Sequence, residues 1–476
     1  MVTNFENKFG SSNNIRADLG VVRECMSYLR SQDSEFDEYI SKTPCIIVGG
    51  TNGKGSTSSY LATFFTNFGV SCGLYTSPHL VEELERIYIG DSFIDDSEFD
   101  DIYSKLKQIL GKRFDDLTYF EKMTIFSGYV FFKKNTKINI FEVGMGGVFD
   151  ATNIFPAETS VITGISLDHT KYLGSTLDEI FEQKAGIIHG RQSFWSDLGG
   201  VSTQKKNQIK QRVVSQGCMV YEYGTSWIYR EDRGEFSICM DPQEEVIFKV
   251  PHSIKDIKVL SKNFALSTVV FRFIIERYGF GIDKSDLDRR IEKILKKDWS
   301  NEVRVRVEEK ESVSKVVISD EKLRLPPTLF GRYQKIELQF DDGSVKVLRV
   351  DVCHNEDGVK NFTIRVKQIG RTEGKPLVAL VSIFKDKDYK TVIKMLQGVF
   401  DRIYIFQSGS ERSVTKEEIF PFLTGDGSTK FYTSFDLLWK DCKDIYYDFW
   451  VCGSVYGVGE ILKYFKIYPR RIYDRR

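Results

Sequence analysis

Gly49-Gly50-Thr51-Asn52-Gly53-Lys54-Gly55-Ser56 gathers the residue types that a bound phosphate needs. Glycines let main-chain N–H groups turn toward phosphate oxygens, a following helix adds the positive end of its dipole, Lys54 supplies a point charge and Ser56 a hydroxyl that suits magnesium. The apolar run Cys45–Val48 precedes these residues and an amphipathic segment follows them, so the glycines lie between a strand and a helix. The general Gly-x-x-x-x-Gly-Lys-[Ser/Thr] pattern is not met, because Val48 occupies the first glycine position and Gly55 separates Lys54 from Ser56. A glycine-rich turn without a ligand is the alternative. Further strand ends carry donors: Ser77 in Thr76-Ser77-Pro78-His79-Leu80, Glu142 before Val143-Gly144-Met145-Gly146-Gly147, and the pair Asp168-His169. A hard cation takes oxygen ligands of this kind. Singly, Glu142 reads equally well as a solvated carboxylate and His169 as a structural histidine; together the strand ends favour a metal–nucleotide site.

The elements that must position these residues follow from the pattern around them. Over residues 45–190, short apolar runs alternate with helix-length amphipathic segments, which predicts successive βα units and a parallel sheet. Tyr60, Leu61, Phe64, Phe65 and Phe68 mark one apolar helix face. Strands are expected at Val70–Tyr75, Ile138–Val143 and Ser160–Ile165, with ligands at their carboxyl ends. Cys218–Tyr223, Phe236–Met240 and Val246–Val250 predict a small antiparallel elaboration, and Asn263–Tyr278 a buried helix. Beyond residue 298 the alternation restarts: strands at Leu377–Val381, Arg402–Phe406, Lys430–Tyr432 and Phe449–Val451, helices at Tyr389–Leu396 and Phe435–Cys442. Val303–Val347, charged and irregular, reads as peripheral. The expectation is an α/β protein: a mostly parallel, P-loop-containing sheet domain over 1–298, then a smaller α/β domain over 299–476.

At 476 residues the chain has room for two or three domains. Lys+Arg and Asp+Glu both number 67, so no net field favours nucleic acid or an anionic membrane. The apolar runs fall short of the ~20 residues of a membrane span, and the N-terminus lacks the basic and apolar regions of an export signal. Eight cysteines without a Cys-x-x-Cys pair suit buried reduced thiols. A cytoplasmic monomer that acts on small molecules, with neither nucleic acid nor membrane as partner, is expected.

With these residues in view, the chain resembles the folylpolyglutamate synthase/dihydrofolate synthase family of the Mur ligase superfamily. Gly50–Ser56 is similar to that family's own phosphate loop, and Leu74–Leu80 with Glu85-Arg86-Ile87 to its folate loop. Glu142–Gly147 with Asp150-Ala151-Thr152-Asn153 resembles its glycine-rich signature, joined by Leu167-Asp168-His169 and Gln183-Lys184-Ala185-Gly186. The similarity thins beyond residue 200 and resumes at Asn263, Gly331-Arg332-Tyr333, Asp351–Asn355, Lys385–Asp388 and Gly453-Ser454. It implies that ATP phosphorylates the terminal carboxylate of a folate or pteroate and that the amine of L-glutamate attacks the acyl phosphate. It implies an ATP site of Thr51, Asn52, Gly53, Lys54, Gly55 and Ser56, with Asn263 near the base, Arg332 at the phosphates and Asp351 at the nucleotide. Two magnesium ions would be held through Ser56, Ser77, Glu142 and His169. Lys184 matches a lysine carried as a carbamate derived from carbon dioxide (N6-carboxylysine). Lys54, Lys184, His169, Glu142 and His354 would be catalytic. Leu19, Gly20, Arg23, Pro78, His79, Arg86, Thr118, Tyr119, Phe120, Glu121, Asp150, Ala151 and Asn355 would contact acceptor or glutamate, and domain closure would be part of catalysis.

Several positions depart from the family pattern. Val148 replaces a basic residue, Gln183 a glutamate, and Val352-Cys353 a Gly-Ala pair. A β-branched Val352 would not tolerate a left-handed backbone. Other readings are a Mur-type ligase with another acceptor, and a nucleotide-binding regulatory protein without ligase activity.

Overall fold

The computed structural model describes residues 8, 9, 16, 18–232, 235–240, 246–251, 254, 257–297, 299, 302–307, 315–317, 329–370, 375–446 and 448–470. These fall into two compact units: the first holds the residues up to Pro78 and from Arg86 to 297, the second His79–Glu85 and the residues from Trp299 onward.

Among the described residues, eight strands form the sheet of the first unit: Cys45–Gly49 (β1), Cys72–Tyr75 (β2), Ile87–Ile89 (β3), Ser92–Phe93 (β4), Ile138–Glu142 (β5), Thr159–Ile162 (β6), Gln192–Trp195 (β7) and Met219–Glu222 (β8). Their order is β4-β3-β2-β5-β1-β6-β7-β8. Pairs from β2 to β8 across the sheet are parallel, while β3 and β4 add an antiparallel edge. Every residue of β1 and β5 is buried, as continuous apolar runs require when helices cover both faces. From β1 the chain moves past β5 to β2 and later returns to β6, on the other side of β1. The loop after β1 therefore opens at a topological switch, where open α/β sheets bind ligands.

Helix Lys54–Asn67 is buried from Gly55 to Phe65, so the apolar face read from the sequence is part of a helix enclosed on all sides. It packs against Lys258–Tyr278, with Tyr60 and Phe264 edge to face at 5.2 Å and Phe64 stacked on Phe271 at 5.2 Å. One expectation fails locally: residues 219–222 join the main sheet as β8. The antiparallel elaboration consists instead of Trp227–Asp232 (β9), Glu235–Met240 (β10) and Val246–Lys249 (β11).

In the second unit, Glu302–Val307 (β12), Lys315–Val317 (β13), Gln334–Phe340 (β14), Val345–Asp351 (β15), Val378–Ser382 (β16), Arg402–Phe406 (β17), Thr429–Tyr432 (β18) and Asp448–Gly453 (β19) pair in the order β13-β12-β14-β15-β19-β16-β17-β18. The reading of 303–347 as peripheral is thereby corrected, since β12 and β14 are sheet members and Val305, Ile336 and Leu338 are fully buried in its core. Alternating Arg, Lys and Glu on the outer face hid a half-buried strand pattern. All eight cysteines are buried free thiols. No helix among the described residues is long and apolar enough to cross a membrane.

Candidate functional site

The phosphate loop is held by β6 on one side and by a distant helix on the other. Thr51 N–H donates to the Gly164 carbonyl at 2.8 Å, and Thr163 N–H to that of Gly49 at 2.8 Å. Thr163 Oγ1 donates to the Asn52 carbonyl at 2.8 Å, and Asn52 Nδ2 reaches Ser166 Oγ at 3.1 Å. Gly50 has φ +142°, and a Cβ there would lie 1.8 Å from Thr163 Oγ1. Gly53 has φ +90°, and a Cβ there would lie 2.5 Å from Asn263 Oδ1. Only glycine fits either position. The buried Asn263 side chain thus lies against the loop itself, with its Nδ2 lacking a hydrogen-bond partner. Four residues further along that helix, Ser267 Oγ donates to the Thr57 carbonyl at 3.1 Å.

Gly53 also occupies the N-cap of Lys54–Asn67, so no side chain caps this helix and its first amides face the loop. Two lysine side chains converge beside them: Lys54 Nζ lies 3.2 Å from the Gly50 carbonyl and Lys184 Nζ 2.9 Å from the same oxygen. Lys184, at the end of helix Leu177–Lys184, is buried at 4% exposure. An open helix N-terminus, the Lys54 cation and a glycine-lined cradle together fit the polyphosphate of a nucleotide.

The opposite charge stands close by. Glu142 ends β5 in register with Val48 of β1. Its buried carboxylate accepts the Ser77 N–H at 3.1 Å, and both its oxygens lie 3.4 Å from where a Cβ of Gly55 would be. Glu142, the Ser77 main chain and the start of the Ser56 helix are therefore brought together, and Ser56 is buried there. His169 has left-handed backbone (φ +50°) at the start of the short helix Thr170–Leu173, its N–H on Asp168 Oδ1 at 2.8 Å. Among the described residues no three His, Cys, Asp or Glu cluster as a preformed metal site.

Around this centre several expected residues serve first to shape the loops. Asp150 accepts N–H groups from Met145 at 2.9 Å and Thr152 at 3.0 Å, and burial raises its pKa while these bonds oppose the shift. Ala151, also buried, begins the 3₁₀ turn that Asp150 caps. Thr118 and Glu121 form the capping box of Tyr119–Lys133, and Glu121 pairs with Arg16 at 3.2 Å. The Arg86 guanidinium lies 5.3 Å from the Tyr119 ring centre, and Phe120 packs on Gly144. Leu19 is buried at the start of helix Gly20–Gln32, while Gly20 and Arg23 are exposed on it, and Pro78 is exposed. The Gln183 carbonyl accepts the Val148 N–H at 3.0 Å, joining two of the positions that depart from the family pattern.

In the second unit, Asp351 ends β15 and accepts the Tyr333 N–H at 3.0 Å. Burial raises the Asp351 pKa, and the Arg332 guanidinium and this N–H oppose it. Gly331 (φ +70°) and Tyr333 (φ +44°) are both left-handed, which puts Arg332 at the tip of a tight turn. His354 Nδ1 is 3.0 Å from the Val352 carbonyl, and Asn355 caps Glu356–Ile369 through the Gly358 N–H at 2.9 Å. Val352 takes ordinary negative φ and, like Cys353, fills an apolar core, so the Gly-Ala departure is absorbed by packing. Thr163 and Ser166, which hold the glycine-rich loop, were not singled out by the sequence reading. The polar stretch directly after β6 was the available signal.

No family model matches the chain. The dihydrofolate synthase/folylpolyglutamate synthase of Buchnera aphidicola subsp. Baizongia pistaciae is 28% identical over 397 residues, covering 82% of this chain and 78% of that protein. Escherichia coli FolC in complex with DHPP and ADP superposes with a TM-score of 0.72 at 23% identity, covering 97% of this chain and 96% of that one. The Yersinia pestis bifunctional folylpolyglutamate synthase/dihydrofolate synthase complexed with AMPPNP and Mn gives 0.69 at 21%, over 96% and 95%. The architecture is thus Mur ligase-like: two α/β units, the first carrying the phosphate loop. Within that class, the chain is similar to a dihydrofolate synthase/folylpolyglutamate synthase over 82% of its length.

Proposed function

We propose that the chain is an ATP-dependent, ADP-forming ligase that joins L-glutamate to tetrahydrofolate, to dihydropteroate or to both. The observation that carries this reading is the uncapped helix N-terminus after Gly53, with Lys54 and Lys184 on the Gly50 carbonyl and the Glu142 carboxylate alongside. A carboxylate must approach an anionic nucleotide, so the chief task is to neutralise charge while holding both in line. The helix amides and Lys54 would hold the phosphates. An acceptor carboxylate oxygen then attacks the γ-phosphorus and ADP leaves. The glutamate amine attacks the acyl carbon, phosphate leaves, and the amine gives up its proton. Magnesium held by Ser56, Ser77, Glu142 and His169 would supply further neutralisation. Lys184, buried beside the loop, is the proposed carbamate; Arg332, Asp351 and Asn263 are proposed nucleotide contacts; and His354 and Asn355 face the glutamate step. We read 1–298 as the ATP- and folate-binding domain and 299–476 as the second ligase domain of a cytoplasmic monomer.

Mass spectrometry of products tests this reading. The chain is incubated with ATP, magnesium and L-glutamate, with dihydropteroate in one tube and tetrahydrofolate in another, while ADP release is followed. A glutamyl adduct on either acceptor is the expected result. Nucleotide binding with no adduct in both tubes overturns it.

A further inference from the structure

The loop from Thr76 to Arg86 joins β2 to β3 and is closed at its neck, where the Thr76 N–H donates to the Arg86 carbonyl at 2.9 Å beside the Tyr75–Ile87 pair. Its near end is fixed independently by the Ser77 N–H on Glu142. The far end is organised by one side chain. The buried Glu85 carboxylate accepts three successive main-chain N–H groups: Leu80 on Oε2 at 2.9 Å, and Val81 and Glu82 on Oε1 at 3.1 and 2.8 Å.

The segment these bonds hold is seated among apolar groups. Val81 is buried in the core of the second unit with Val352 and Val458, and Leu80 packs against the same cluster. The Leu80 carbonyl lies so close to Gly459 that a Cβ there would be 1.9 Å from the oxygen. Main-chain N–H groups in such surroundings need an acceptor, and Glu85 supplies it for all three. His79, immediately before them, has its ring 6.4 Å from that of Tyr456.

We propose that Glu85 is a positioning residue: by gathering the Leu80, Val81 and Glu82 amides on one carboxylate, it sets the course of Pro78 and His79, and with it the affinity for the folate-type acceptor. Nucleotide affinity depends on it less, because the phosphate cradle and the Ser77–Glu142 contact are held by other groups. The inference rests on the functional reading above.

Glu85→Gln tests it. Glutamine keeps one acceptor oxygen and turns an NH₂ group toward at least one N–H, so the three-bond arrangement cannot survive. The expected result is a KM for the acceptor raised roughly tenfold or more, the effect of one lost charge-assisted hydrogen bond. KM for ATP and kcat should move less than about threefold, below half the tenfold-per-1.4 kcal/mol scale, and amide exchange at residues 80–82 should accelerate. Glu85→Asp, which retains the charge at shorter reach, should recover part of the affinity, and it decides the matter if the Gln variant does not fold. A wild-type chain that ligates while both variants leave acceptor KM unchanged, or raise acceptor and ATP KM together, overturns the inference alone. A wild-type chain that forms no adduct overturns it together with the functional reading.

Discussion

One helix that follows a strand of the first sheet begins differently from those that follow strands of the second. In the second unit, Asn355 caps Glu356–Ile369, Asp388 caps Tyr389–Gln397 and Ser454 caps Val455–Tyr464, each side chain accepting an N–H of the first turn. In the first unit, Gly53 stands at the corresponding place before Lys54–Asn67 and offers no acceptor. A capped terminus has spent its donors internally, whereas an open one keeps them for an anion. The open terminus of the first sheet therefore suits an anion, while the second sheet presents side chains such as Asp351 and His354 at its strand ends.

The sharpest way to break this comparison is to distort the loop that leads into the open terminus. Gly50→Ala forces a side chain into the space of Thr163 Oγ1 at a φ that alanine rarely takes, and calorimetric titration should show nucleotide binding lost by at least roughly 100-fold, a cost of about 3 kcal/mol. Lys184→Ala removes a charge but leaves the cradle, so ligation should fall roughly 100-fold or more while nucleotide affinity stays close to wild type; full activity would sink the proposed carbamate. On the capped side, Asn355→Ala should cost only about 1 kcal/mol of stability and lower the melting temperature by a few degrees, without creating an anion site. The smallest effect concerns acidity. Burial, opposed by the three N–H bonds, pushes the Glu85 pKa up from 4.5 to about 7. Between those values the folded chain keeps a proton that the unfolded chain releases, so the stability contributed by this group is fully present below 4.5 and lost as pH rises through 7. Urea unfolding at pH 4 and pH 8 should show wild type losing stability relative to Glu85→Gln at the higher pH; an unchanged difference would contradict the assignment.

Much of the first sheet could be read from the chain because its signals are local: uninterrupted apolar strands, glycines directly after β1, and acidic or hydroxyl residues at strand ends. The strands β12 and β14 escaped because an exposed face of alternating charges masks period-two burial when the partner strand is not known. The contacts of Thr163 with Gly50, and of Asn263 with Gly53, arise from tertiary approach across more than a hundred residues, which no spacing in the sequence encodes. Asp150, Thr118 and Glu121 show the converse. Their placement next to the site is legible, while their observed bonds go to the loops and helix ends that they shape.

The phosphate loop is made early in the chain, yet its far wall is Asn263, and Ser267 from the same helix braces Thr57 across 210 positions. During synthesis on the ribosome, at about 5–20 residues per second, the nucleotide cradle stays incomplete for roughly 10–40 s after its own residues emerge. A nascent chain stalled before residue 263 would display the glycine-rich segment but not hold nucleotide, so ATP can reward only those chains that have already finished the greater part of the first unit.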